Sequence, residues 1–129
     1  MSKHPNVSIK ILLRYKNQVL ILKHPDGTFD FPGGTMEWKE SILGTLKREL
    51  IEELNYSLKE EPSLFSVWNF VSKDKKRHTV LINYMCFLDK KPTLVSQENA
   101  EILWLTKKDM ESMGVIKNKE FREKIFRQK

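Results

Sequence analysis

The chain is poor in cysteine and contains no long apolar run. Its single cysteine, Cys86, excludes an intramolecular disulfide and, within the apolar run Val80–Leu88, is expected to be a buried structural thiol. No segment approaches the roughly 18 apolar residues of a membrane-spanning helix. The N-terminus lacks a signal-peptide pattern, because Lys10 and Arg14 interrupt the apolar stretch Val7–Leu13. We therefore expect a cytoplasmic protein that does not cross a membrane.

Internal repeats and low-complexity linkers are also lacking in the sequence. A length of 129 residues with 40% hydrophobic content suits one domain, residues 1–129, with enough apolar side chains for a core. The net charge of +6 favours phosphate-bearing partners. The basic residues are scattered, however, and ordinary solvated faces explain both the hairpin cluster Lys73–Arg77 and the basic C-terminal helix.

The most informative pattern lies between Gly34 and Tyr56. Chance would produce it with a probability on the order of 10⁻⁸ per starting point, given average residue frequencies. The pattern consists of seven residues at fixed offsets, namely Gly34, Glu40, Arg48, Glu49, Leu50, Glu52 and Glu53.

Within this pattern, the stretch Ser41–Leu54 has the periodicity of an amphipathic helix. Glu49, Glu52 and Glu53 stand at i, i+3 and i+4, so their carboxylates share one face within one turn. Mg²⁺ prefers oxygen ligands and typically takes one or two carboxylates. Taken alone, the three glutamates are better explained as a solvated acidic face. The apolar stripe on the opposite side comprises Ile42, Leu43, Leu46, Leu50 and Leu54.

The residues upstream of the helix favour a metal site over a solvated face. Phe31–Gly34 is predicted to be a strand end running into a tight, side-chain-free turn, where a backbone carbonyl can approach a cation or phosphate. By itself a Pro-Gly-Gly sequence indicates only a turn. Combined with glutamates at the right offset, it predicts half of a metal and pyrophosphate site.

The segment Phe29–Tyr56 resembles the Nudix hydrolase family, whose members hydrolyse nucleoside diphosphates linked to another moiety. The resemblance implies that the Gly33 carbonyl, Glu49 and Glu53 bind Mg²⁺ or Mn²⁺. It makes Glu52 a further ligand or the general base, and Gly34 a substrate contact. It also makes Arg48, with Glu40, a supporting pair that holds the glutamates in place. The reaction would be attack of water on a phosphorus of the diphosphate.

Three departures from the family pattern flank or enter the helix. Asn55 and Lys39 stand where the family usually has glycine, and the pair Thr45-Leu46 replaces small residues on the buried side. Asparagine is the residue that next most readily adopts the left-handed conformation of a helix C-cap. We expect local repacking rather than loss of the site.

Two further pairs of residues are candidates for the site. Glu98 and Glu101 lie in a segment similar to the family's loop that carries an extra ligand or general base, and spacing does not choose between them. Geometry must decide, since a base needs hydrogen-bond reach to the attacking water. His24 stands where relatives often place an arginine near the substrate phosphates, with Lys23 beside it, although a solvent-facing histidine at a strand end is the more ordinary interpretation.

The order of elements predicts an α/β fold. Alternation predicts Val7–Leu13 as a half-buried strand, and the doubly apolar strand Thr79–Leu88 is expected to be central in the sheet. The resemblance implies the Nudix-type α/β/α sandwich with a central mixed sheet. The other predicted elements are strands at Gln18–His24, Phe29–Phe31, Leu64–Val71 and Ile102–Leu105, and helices at Lys107–Met113 and Asn118–Arg127.

Three functions remain open at this point. The favoured one is a Mg²⁺-dependent pyrophosphohydrolase of nucleoside triphosphates or related nucleoside diphosphate derivatives. The second uses the same site on the 5′ end of RNA, supported by the basic charge alone. The third is a non-catalytic nucleotide-sensing module, which the complete set of glutamates disfavours. A second copy of the same chain is a further candidate partner, with which the protein would form a homodimer.

Overall fold

The computed structural model describes residues 3–127, so the first two and last two residues of the predicted 1–129 domain lie outside it. In chain order the elements are β1 (Asn6–Tyr15), β2 (Gln18–Lys23), β3 (Phe29–Asp30), β4 (Gly33–Thr35), α1 (Ile42–Leu54), β5 (Ser63–Val71), β6 (His78–Phe87), β7 (Glu101–Leu105), α2 (Lys107–Met113) and α3 (Lys119–Arg127). Within these residues no helix is long and apolar enough to span a bilayer.

All strands belong to one seven-stranded mixed sheet. The main path is β3-β2-β1-β6-β5, while β4 pairs with β1 and β7 pairs with β2. Strands β1 and β6 run parallel in a register from Asn6 opposite Thr79 to Arg14 opposite Phe87, and the other pairings are antiparallel. The prediction of a mixed sheet with β6 in its interior is confirmed.

Helices cover both faces of the sheet, which confirms the α/β/α sandwich. Leu46, Leu50 and Leu54 of α1 pack on one face, and Met110 of α2 and Ile125 of α3 pack on the other. Each face thus has its own apolar cluster, and burial of these side chains is the main stabilising term. Cys86 is buried on the α1 side, as expected.

Strand β1 is not half-buried, and that prediction is wrong. Ile9 and Ile11 face α1, while Leu12 packs on the opposite side, so the strand is covered on both faces. The polar residues that suggested a solvent face are paired inside the protein. Lys10 Nζ lies 2.9 Å from Asp30 Oδ2, and Arg14 Nη1 donates to the Ile125 carbonyl at 2.6 Å. Paired charges of this kind can be buried at a tolerable cost.

The segment predicted to be a tight turn forms strand β4 instead. Ile9 lies opposite Gly34 and Lys10 opposite Gly33 in an antiparallel pairing. Gly33 has φ +137°, and a Cβ at this position would collide with the backbone of Ile9. Only glycine therefore permits the close approach that brings this strand against β1.

Helix α1 begins and ends at clear caps. The Ser41 hydroxyl accepts from Gly44 N–H at 2.9 Å, and Asn55 ends the helix in the left-handed conformation with φ 52°. Lys39 also has a positive φ of 69°. Asn55 and Lys39, which replace the family's glycines, therefore both have left-handed backbone conformations, and this explains why the family usually has glycine there.

Leu43, predicted to lie in the buried stripe, is 38% exposed.

Candidate active site

The end of α1 lies against the Gly33–Gly34 segment of β4. Gly33 N–H donates to Glu53 Oε1 at 2.7 Å, and Glu53 is 9% exposed. A Cβ built on Gly34 would lie 2.5 Å from both carboxylate oxygens of Glu49. The two carboxylates therefore meet on a surface that carries no side chains, as the sequence pattern predicts.

Arg48 forms ion pairs with several acidic side chains of the site. Its Nε and Nη2 atoms donate to the two oxygens of Glu40 at 2.7 and 3.0 Å, a bidentate pairing. Its Nη1 atom lies 2.9 Å from Glu49 and 3.1 Å from Glu52. The guanidinium also donates to the Thr35 carbonyl at 3.1 Å. One planar cation thus ties α1 to the end of β4, the geometry expected of a supporting pair.

Glu40 has further partners that sequence reasoning missed. It accepts from the N–H of Glu37 at 2.8 Å, and the buried Thr45 hydroxyl lies 2.9 Å from it. These bonds and the Arg48 pairing lower the pKa of Glu40 to about 2, the Arg48 hydrogen bond contributing most. Thr45, one of the departures from the family pattern, therefore helps to hold the Glu40–Arg48 pair.

The carboxylates beside the two glycines are electrostatically unfavourable in their ionised form. Burial raises the pKa of Glu53 to about 7, opposed by the Gly33 hydrogen bond and by Lys10, and reinforced by Glu49 and Glu98. Burial likewise raises the pKa of Glu49, again with a contribution from Glu98 and despite the hydrogen bond from Arg48. Two carboxylates close together in a poorly solvated place favour a proton or a cation.

The loop before β7 brings Glu98, rather than Glu101, to this cluster. Gln97 N–H donates to the carbonyl of Glu53 at 2.9 Å, and Val95 N–H donates to the carbonyl of Leu54 at 3.1 Å. These bonds anchor the loop to the end of α1, and the Glu98 charge acts on both Glu49 and Glu53. Glu101 lies instead in β7, opposite Lys23 of β2.

Lys23 and His24 lie at the end of β2. The Lys23 ammonium is 6.0 Å from the centre of the Phe29 ring. The His24 backbone closes a turn by accepting from Gly27 N–H at 2.9 Å and donating to Thr28 at 2.8 Å. Lys23 thus lies beside Phe29, and His24 belongs to the turn that follows β2.

The donor set fits a divalent cation of the Mg²⁺ type. Within residues 3–127 no group of three or more Asp, Glu, His or Cys side chains converges on one point. Glu52 instead pairs with Arg48 and its side chain is 52% exposed. Mg²⁺ requires only one or two carboxylates, since waters and substrate phosphates complete its octahedron. The crowded pair Glu49 and Glu53 meets that requirement.

A pocket of about 570 Å³ lies on the sheet face opposite α1. Its walls include aromatic side chains of β3, β5 and α3, and Asn83 and Asn118 supply amide groups. Lys10 and Asp30 lie in its lining, and the Lys10 charge also acts on Glu53, so the pocket adjoins the glutamate site. The aromatic lining consists of Phe29, Phe31, Trp68 and Phe121.

Sequence reasoning missed Lys10 and Asp30. Each is a charged residue between two apolar neighbours in a strand, a signal that can mark a buried charge but more often marks a solvent-facing position. Trp68, which also lines the pocket, is 52% exposed.

Comparison with known families decides the assignment. The family model of the NUDIX domain matches residues 2–128. The chain belongs to the Nudix hydrolase family. The predicted resemblance, made on residues 29–56, is confirmed over almost the whole chain.

Individual relatives are more distant. An ADP-ribose pyrophosphatase from Methanocaldococcus jannaschii is 28% identical over 86 residues, which cover 64% of this chain and 50% of that protein. The chain therefore spans about half the length of this curated relative. A MutT NUDIX hydrolase from Burkholderia pseudomallei is 24% identical with a TM-score of 0.71, covering 83% of this chain and 87% of that one. A MutT protein from Methanosarcina mazei Go1 is 22% identical with a TM-score of 0.72, covering 98% and 94% of the two chains. At these identities the two structures show a shared fold.

Proposed function

We propose that this Nudix protein is a Mg²⁺-dependent pyrophosphohydrolase that cleaves the diphosphate linkage of nucleoside triphosphates or related nucleoside diphosphate derivatives. The observation that carries the proposal is the meeting of Glu49 and Glu53 on the Gly33–Gly34 segment, next to an aromatic pocket of about 570 Å³. Pockets of this size accommodate ligands of nucleotide dimensions.

The metal is proposed to bind to the carboxylates of Glu49 and Glu53 and to the Gly33 carbonyl, with Glu52 as a further ligand or as the general base. Mg²⁺ is favoured, and Mn²⁺ has similar ligand preferences. Such a cation supplies charge neutralisation at the phosphoryl oxygens and lowers the pKa of a bound water.

The protein's own residues orient the groups around the reacting phosphorus. Arg48 holds Glu49 and Glu52 through hydrogen bonds and stays charged, since its pKa is raised by Glu40 and the other glutamates. Gly34 has no side chain, which lets the Glu49 carboxylate lie directly against the backbone of β4. Glu98 and Glu52 are the candidates to accept the proton of the attacking water, because both are exposed near the cluster.

The pocket is proposed to bind the nucleoside. Phe29, Phe31 and Trp68 offer ring faces on which a base can stack, and Asn83 and Asn118 offer amide groups to its polar edge. Lys23, which lies beside Phe29, and its neighbour His24 are the proposed phosphate contacts. With the base in this pocket, the diphosphate would reach Glu53 past Lys10.

Two other substrates remain as alternatives. ADP-ribose is suggested by the description of the archaeal relative. The 5′ end of RNA is suggested by a basic cleft of about 360 Å³, whose lining includes Lys3, His4, Lys75, Lys76 and His78. Both carry the same diphosphate linkage, so one panel of substrates compares them directly.

The test is a substrate screen with matched variants. Nucleoside triphosphates, ADP-ribose, nucleotide sugars, dinucleoside polyphosphates and 5′-triphosphorylated RNA are incubated with Mg²⁺, Mn²⁺ or a chelator, and phosphate and pyrophosphate release are measured. We expect turnover only with metal, and a loss of at least about 10²-fold in Glu53→Gln, as for a lost metal ligand. Glu111→Gln, an exposed glutamate of α2, is the matched control and should keep full activity. Binding of nucleotides without any turnover would refute the proposed pyrophosphohydrolase activity and would support a nucleotide-sensing module.

A further inference from the structure

Strand β5 forms an open edge of the sheet. It is the last strand on the path β3-β2-β1-β6-β5, and among residues 3–127 its pairing partner is β6 alone. The backbone groups along its other side are therefore free to pair with a further strand.

The sequence of this edge has few of the features that usually protect an edge strand. Ser63–Val71 contains no charged residue, proline or glycine. Four of its large apolar side chains are more than half exposed, namely Leu64 at 60%, Val67 at 56%, Trp68 at 52% and Val71 at 53%. An apolar, exposed edge of this kind is a ready template for strand addition.

Protection is confined to one end of the strand. An irregularity interrupts the register between Leu64 and Ser66, and Lys124 Nζ donates to the Phe65 carbonyl at 2.9 Å. Bulges and lysines of this kind blunt an edge. The stretch Ser66–Val71 carries neither device.

The charges that flank β5 indicate what occupies the edge. Glu60 and Glu61 precede the strand, and the basic hairpin Lys73–Arg77 follows it. Within that hairpin, Asp74 accepts from the Ser72 hydroxyl and the Lys76 N–H, so it is already paired. An antiparallel copy of the same strand would bring the acidic end of each chain to the basic end of the other.

We propose that β5 pairs antiparallel with β5 of a second copy of this chain, forming a homodimer with a continuous sheet. In a two-fold pairing centred on Val67, Glu61 lies opposite Lys73, the first residue of the hairpin turn. The interface is isologous, so each opposite-charge contact occurs twice. It also places the two pockets side by side, because Trp68 lies both on β5 and in the pocket lining.

The first test introduces a lysine at the edge. Sedimentation equilibrium over about 1–100 μM, the range of moderate affinities, is compared for wild type, Val67→Lys and Val95→Lys. Val95 is the matched control because it is 53% exposed but lies in the loop anchored to α1. We expect dimers for wild type and Val95→Lys, and an increase of at least about 10-fold in the dissociation constant for Val67→Lys. Circular dichroism checks that each variant is folded, and Val71→Lys is the second edge variant.

The second test reverses the flanking charges. Glu61→Lys should weaken the dimer, while Glu111→Lys, with the same change in charge on α2, should not. Adding Lys73→Glu to Glu61→Lys should restore association, since the signs of the two opposed charges are then exchanged. A wild-type protein that stays monomeric, or an edge variant that stays fully dimeric, overturns the proposal. Failure of the double variant to recover overturns the antiparallel arrangement. Both tests measure only the mass of the protein in solution, so their outcome does not depend on the proposed activity.

Discussion

The buried carboxylate of Glu53 is expected to destabilise the metal-free protein above neutral pH. Its pKa is about 7 in the folded protein, compared with an ordinary value of 4.5. Between these values the folded state binds more protons than the unfolded state, so the free energy of unfolding falls as the pH rises. Each tenfold difference in proton affinity is worth about 1.4 kcal/mol. Ionised Glu53 therefore costs the fold up to about 3 kcal/mol at pH 8.

Glu53→Gln removes this cost with little change in contacts. The glutamine carbonyl can still accept from Gly33 N–H, the bond that Glu53 makes at 2.7 Å. We expect urea unfolding in the presence of a chelator to give similar stabilities for the two proteins at pH 5. At pH 8 the variant should be more stable by about 2–3 kcal/mol. With Mg²⁺ present, wild type should become more stable than Glu53→Gln. A ligand that binds only the folded state stabilises it, and the stabilisation increases with the affinity of the ligand.

The comparison of the two proteins subtracts the titrating groups that they share. Glu49, whose pKa burial also raises, is one of these groups, and its contribution cancels apart from its coupling to Glu53. Glu40, Asp26, Asp74 and Asp109 have lowered pKa values, so their stabilising contributions are complete above pH 4.5 and do not change between pH 5 and 8. Glu111→Gln, as before, controls for the loss of one negative charge. If the stability difference between wild type and Glu53→Gln were the same at both pH values, the assigned environment of Glu53 would be wrong.

Three further predictions follow from the glycines, the caps and the thiol. Gly34→Ala should lower kcat/KM by about 10²-fold with little loss of stability, because its Cβ would displace the Glu49 side chain and no backbone; full activity would contradict the role of Glu49. Asn55→Gly and Lys39→Gly should each raise the free energy of unfolding by about 0.5–1 kcal/mol, since both positions are left-handed; a lower melting temperature would argue against strain there. Cys86, whose pKa burial raises to about 11, should react with a thiol reagent only as fast as the protein unfolds; rapid labelling of the folded protein would contradict its burial.

The acidic face of α1 could be predicted because it depends on local geometry alone. Residues at i, i+3 and i+4 of a helix share a face wherever that helix lies, so Glu49, Glu52 and Glu53 needed no tertiary information. The contact of Glu53 with Gly33 is different. It exists because β4 pairs with β1, and a Pro-Gly-Gly sequence by itself indicates a turn rather than a strand.

The residues that escaped prediction depend on pairings between distant segments. Lys10 and Asp30 are 20 residues apart and meet at 2.9 Å in the sheet, where β2 lies between β1 and β3. The choice between Glu98 and Glu101 depends on two backbone hydrogen bonds from the loop to the end of α1. Neither fact has a local signature in residue type or spacing.

The two hydrogen bonds that join residues 95 and 97 to the last carbonyls of α1 have a consequence for how this protein can diverge. They hold Glu98 in place from the helix side, so the segment 89–93 before them is not needed to position it. That segment lies mostly on the surface. It can accept insertions and deletions that reshape the outer rim of the site while Glu98 keeps its distance from α1.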